Sequence, residues 1–158
     1  MDKNQAVINY LSSCPAIAKN PLFFNFAQAE DNNKQLIAVA TDKRVEQPYI
    51  DGSVLKRYTF TIIDYRSVIY QAVVKEAGYP NENVEELLDV QSIIDWIDEQ
   101  NSEYNFPDFG EDCIIDEIKA LTDTPRLNSV DTSASPALAK YSVAIQILYL
   151  DTSKRIWK

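Results

Sequence analysis

The sequence predicts an α+β domain, a mainly antiparallel sheet of four to five strands with two main helices packed on one face. Three observations carry that expectation. Two segments, 55–65 and 139–149, alternate apolar or aromatic residues with polar ones at the period of a half-buried strand. A third, 83–100, sets Leu87, Val90, Ile93, Ile94 and Ile97 on one helical stripe. The elements also lack the regular strand–helix–strand alternation of a parallel sheet. At 158 residues, within the ~100–200 usual for one domain, residues 1–158 are expected to share one core.

At the start of the chain, Asp2 and Gln5 have the spacing of a helix cap, and Val7, Tyr10, Leu11 and Cys14 then share one side of a helix that Pro15 should stop. The aromatic run 22–26 and the segment 36–40, separated by Glu30-Asp31-Asn32-Asn33, read as a hairpin. Residues 41–53 contain Pro48 and the turn signal Asp51-Gly52, so they read as a connection with room for a short edge strand. In the next strand Tyr58, Phe60 and Ile62 point to the core and Arg57, Thr59 and Thr61 away. The period of 68–74 is ambiguous between strand and helix. Gly78-Tyr79-Pro80 breaks the chain, and Asn83 with Glu86 forms a capping box for the helix that follows.

On that helix Glu85, Asp89, Ser92 and Glu99 are expected to face solvent, with Trp96 either folded back over the first helix or a loop, or presented as an anchor to a partner. Residues 113–118 read as a short strand. The Thr, Ser, Asp, Asn and Pro content of 122–137 reads as a long polar loop available for contacts. The last strand, with Ala139, Tyr141, Val143, Ile145, Ile147 and Tyr149 on one face, is expected at the sheet centre, ahead of a basic tail at 151–158.

Charge narrows the function classes. The net charge is −9, which argues against direct nucleic-acid binding, because affinity for phosphates comes from Lys and Arg displacing counterions. The distribution is uneven: 13 of the 24 acids and none of the 15 bases lie between Glu82 and Glu117, leaving a remainder of net +4. One copy's acidic face could therefore meet another copy's basic face head to tail. No apolar stretch approaches the ~18 residues of a membrane span and no secretory leader is legible, so a cytosolic protein without membrane contact is expected. In that compartment Cys14 and Cys113 should remain thiols packed as small hydrophobes.

Catalytic chemistry finds little support. The chain has no histidine, which removes Ser-His-Asp and Cys-His arrangements, and no ordinary zinc site or glycine-rich phosphate loop is present. No cofactor is expected. Carboxylate sets such as Asp112, Asp116 and Glu117, or Asp95, Asp98 and Glu99, could in principle serve a hydrolase or an oxygen-ligated metal. Acids this common on a helix or strand face are ordinarily solvated, so the chain reads as a non-enzyme. The density of the acidic block also suggests a decoy that mimics DNA and inhibits a host nucleic-acid enzyme, although the aliphatic stripe claims half of the helix for the core.

Four segments together carry a resemblance: Pro48-Tyr49-Ile50-Asp51-Gly52-Ser53, Tyr79-Pro80-Asn81-Glu82-Asn83-Val84-Glu85-Glu86, Asp95-Trp96-Ile97-Asp98 and Phe106-Pro107-Asp108-Phe109-Gly110-Glu111-Asp112. With the closing Ser135–Tyr141 run, they resemble a family of minor tail or capsid proteins of tailed bacteriophages and prophages of Gram-positive bacteria, similar to tail terminator or tail completion proteins. That resemblance implies a ring, typically hexameric, capping the tail tube at the head–tail junction, with the major tail protein and head-completion proteins as partners. It also implies assembly in the bacterial cytoplasm and residence in the virion. Candidate interface residues are Glu85, Asp89, Trp96 and Glu99 on the acidic side, and Lys56, Arg57, Arg126, Arg155 and Trp157 on the other.

Overall fold

Two long strands, β4 (Val54–Val68) and β7 (Ala137–Asp151), pair antiparallel over their whole 15-residue lengths, from Val54 opposite Asp151 to Val68 opposite Ala137. The computed structural model describes residues 3–18, 22–24, 34–39, 45–68, 83–133 and 137–156. Each long strand is flanked on its outer side by two short strands set end to end. β2 (Lys34–Val39) and β3 (Val45–Pro48) pair antiparallel with successive parts of β4, while β5 (Cys113–Ala120) and β6 (Arg126–Asp131) do so with β7. β1 (Leu22–Phe24) adds to β2. The seven segments thus form a mainly antiparallel sheet five positions wide.

Alternation decides which face carries the core. On β7, Ala139, Tyr141, Val143, Ile145, Ile147 and Tyr149 are all buried, and across the ladder Phe60 and Ile62 of β4 are fully covered. Against that face pack α1 (Lys3–Leu11), α2 (Pro15–Ala18) and α3 (Asn83–Ser102). Val7, Leu11, Cys14 and Ile17 come from the first two helices and Val90, Ile93, Ile94 and Ile97 from the third, joining the sheet residues in one apolar cluster. At ~25 cal/mol per Å² of apolar surface, each fully buried Ile or Val adds about 1.5–3 kcal/mol.

Turn chemistry sets the strand ends. Asp51, Asp131 and Asp151 each accept, through Oδ1, hydrogen bonds from the backbone N–H and the hydroxyl of the serine two residues on. Three Asp-X-Ser turns therefore begin the loops around β3–β4, β6–β7 and the exit from β7. Gly52 sits at φ +90°, and a Cβ there would lie 2.2 Å from the carbonyl oxygen of Lys154. The C-terminus of α3 closes as a Schellman motif with a tyrosine in the left-handed position. Tyr104 has φ +54°, Asn105 N–H donates to the Gln100 carbonyl at 3.0 Å, and Tyr104 N–H to that of Asn101 at 3.2 Å.

Several elements differ from the sequence reading. The two N-terminal strands do not make a hairpin: β1 and β2 are parallel, Leu22 opposite Lys34, and β2 pairs antiparallel with β4 on its other edge. Pro15 starts a helix rather than stopping one. The first helix ends at Leu11, and Pro15, whose missing N–H costs nothing at a first helical position, opens α2 with the Cys14 carbonyl accepting from Ile17 and Ala18. Residues 122–137 are not one long loop, since Arg126–Asp131 form β6 against β7. The expected cap at Asp2 and the ambiguous segment 69–74 lie outside the described residues.

Candidate functional site

The solvent face of α3 carries the acids that the sequence singled out. Asp95, Asp98 and Glu99 are exposed opposite the buried Val90–Ile97 stripe, and Glu103 is exposed in the turn just past the helix. Among the described residues, Asp98, Glu99 and Glu103 enter no ion pair. Glu85 lies in α3, but its side chain is outside the described set.

Asp89 departs from the expected pattern. It is half-buried and turned toward the sheet, where it meets Arg66 Nη1. Arg66, 4% exposed, also forks onto Asp64, 1% exposed, with Nε to Oδ1 at 2.9 Å and Nη2 to Oδ2 at 3.0 Å. Burial disfavours the Arg66 cation, but the carboxylates of Asp64 and Asp89 outweigh that and hold its pKa above the ordinary value. The trio clamps α3 to β4. It was legible in principle: extending the alternation Phe60, Ile62 by two steps puts Asp64 and Arg66 on the core face.

Trp96 takes the first of its two readings. It is half-buried, and its ring centroid lies 5.1 Å from that of Tyr10 on α1 at 53°. Tyr10 in turn donates its hydroxyl to the Asn105 carbonyl at 2.8 Å. Burial, with Cys14 nearby, pushes that phenol above its ordinary range.

Two of the basic candidates are held within the chain. Lys56 Nζ lies 2.5 Å from Asp151 Oδ2, with both side chains largely covered. Burial opposes ionisation of Asp151, but hydrogen bonds from Lys56 and Ser153 prevail and hold its carboxyl well below the usual range. Arg155 Nε meets Asp51 Oδ2 at 3.0 Å, and Ile156 N–H donates to the Asp51 carbonyl at 2.6 Å, so the start of the expected tail folds back on the 49–53 turn. Arg57 Nη1 reaches Gln146 Oε1 at 3.4 Å on the sheet face away from the helices. Arg126 is exposed at the start of β6, and Trp157 lies outside the described residues.

The nominated carboxylate sets do not converge. Asp116 is exposed in the bulge of β5, Glu117 pairs with Lys119 at 3.4 Å, and Asp112 is exposed before the strand, its carbonyl accepting Thr152 N–H at 2.7 Å. Among the described residues no three His, Cys, Asp or Glu side chains are grouped to hold a metal ion. Burial raises the Cys113 thiol despite Lys3 and Lys56 nearby, which keeps it protonated and a poor nucleophile. The described helices include none long and apolar enough to cross a membrane.

Two further surfaces stand out, the second within the 122–137 segment that the sequence offered for contacts. Ile50, 95% exposed, tips the β3–β4 turn beside an open, mostly apolar recess of about 510 Å³ lined by Tyr49, Asp51, Ser53, Leu150 and Arg155. The other is β6, with all six residues exposed and Leu127 and Val130 among the exposed apolar side chains. Neither protein-family models nor curated proteins gave a match to this chain.

Proposed function

We propose that this chain is a virion assembly subunit of a tailed phage or prophage, of the tail terminator or tail completion kind, acting by ring oligomerisation and docking at the head–tail junction. The observation that carries the reading is the solvent face of α3. Among the described residues, Asp98 and Glu99 on α3 and Glu103 just past its end stand exposed without an ion-pair partner, while Lys56, Arg66 and Arg155 are neutralised by carboxylates of the chain. Such a face suits a basic surface on a neighbouring protein, either another copy in a ring or the tail tube beneath it. The sequence segments that resemble minor tail proteins support the same reading.

In this reading the sheet and the Arg66 clamp supply a rigid platform, and the acidic helix supplies orientation and selectivity among neighbours. Rim charges of this type govern association rate and salt dependence more than ultimate affinity. The test is binding of purified protein to tail tubes, comparing the native chain with the neutralised variant D95N/D98N/E99Q. The native chain should bind, with binding weakened as salt rises toward ~0.5 M, and the variant should lose at least ~10-fold in affinity. Equal binding by the two would remove the acidic face from the mechanism.

A further inference from the structure

We infer that β6 is a self-complementary edge through which two copies of this chain pair antiparallel about a two-fold axis, joining their sheets. The register is set by charge: Arg126 of one copy stands opposite Asp131 of the second, Leu127 opposite Val130, and Asn128 opposite Ser129. Read in opposite directions, the six residues Arg-Leu-Asn-Ser-Val-Asp match cation to anion, apolar to apolar and, at the centre, polar to polar.

A regular strand could not use this register. In an antiparallel pair, opposed side chains share a face of the sheet, whereas residues an odd number apart on a regular strand lie on opposite faces. The bulge in β6 removes the conflict. Its register against β7 shifts between Leu127 and Ser129, so Arg126 faces Ser142 and Asp131 faces Leu138, two β7 positions of the same parity. Leu127 and Val130 likewise oppose Tyr141 and Ala139, both on the helix side. Arg126 and Asp131 therefore share the outward face, and Leu127 and Val130 the other. Asn128, whose Oδ1 accepts from Ser142 Oγ at 3.2 Å, joins Ser129 on the outward side.

The surface has the properties that such pairing needs. All six residues are exposed, Leu127 at 51% and Val130 at 41%. Among the described residues β6 pairs with β7 alone, and a strand edge that meets no neighbour offers backbone groups that a second strand can satisfy. Asp131 keeps its Ser133 hydrogen bonds while meeting an arginine, because a carboxylate accepts several donors. Six residues span only ~20 Å, so the contact belongs to the small, reversible class.

The inference is independent of any virion role, and its test uses no phage component. Sedimentation equilibrium of the native chain should show monomer and dimer exchanging, with a Kd in roughly the micromolar to hundred-micromolar range. R126D places Asp against Asp and D131R places Arg against Arg, twice per dimer, so each should weaken association by ~10-fold or more. An equimolar mixture of the two variants should regain association, because their heterodimer has one native and one reversed pair, each of opposite charge. Circular dichroism of each variant establishes that it is folded. Since D131R also removes the Ser133 contacts, L127K supplies a second disruption that leaves that turn intact. A native chain that stays monomeric to ~1 mM, or variants that associate as the native chain does, would overturn the inference.

Discussion

Replacing Arg66 with methionine tests the clamp that fixes α3 on the sheet. Arg66 and Asp64 are 4% and 1% exposed and joined by two hydrogen bonds of 2.9 and 3.0 Å. Removing one member of a buried pair leaves a charge in a medium that solvates it poorly, at a cost of about 3–5 kcal/mol. Removing both costs far less, since two apolar side chains of similar volume fill the space without desolvating any charge. R66M should therefore lose about 3–4 kcal/mol at neutral pH, and D64L a smaller amount because Asp89 still faces Arg66. The double variant D64L/R66M should lie within about 1 kcal/mol of the native chain, giving a coupling energy of at least ~2 kcal/mol. Urea unfolding followed by far-ultraviolet circular dichroism measures all four corners of the cycle. Additive losses, or an R66M loss below ~1 kcal/mol, would refute the assignment of this trio as a charge-coupled clamp.

Other expectations are simpler. Ile97, fully buried on α3, should cost about 2–5 kcal/mol as I97A by opening a cavity against the sheet, read from the same urea curves. G52A should destabilise by about 1–3 kcal/mol, because alanine disfavours φ +90° and its Cβ would collide with the Lys154 carbonyl; a neutral result would place the turn elsewhere. Asp151, whose folded pKa is depressed, contributes stability that is fully present above the unfolded value of ~3.9 and is lost as pH falls through the folded value. K56M should accordingly lower stability by about 1 kcal/mol at pH 7, with the difference shrinking below pH ~4 in paired thermal melts.

The parts of the fold legible in the sequence are those where burial imposes a period. Residues 139–149 alternate because one face of β7 is buried along its length, and Val90, Ile93, Ile94 and Ile97 recur at helical spacing because α3 covers that face. β6 escaped because all six of its residues are exposed, leaving no alternation to find and a composition typical of loops. The parallel pairing of β1 and β2 escaped because composition and alternation report burial and not the direction of a neighbouring strand. The acidic face of α3 was visible as composition, but not the neutralisation of Lys56 by Asp151 or of Arg155 by Asp51, partners separated by 95 and 104 residues. Helical phase alone places Asp89 in solvent; its bond to Arg66 depends on the charged pair on the core side of β4, which the phase of α3 does not reveal.

The central proposal, assembly through docking on a tail, is tested most directly by incubating the purified chain with tail tubes, then measuring the mass of the complex and imaging it by negative stain. The expected result is a ring of subunits at one end of each tube. A chain that remains strictly monomeric and leaves the tube ends bare would contradict it.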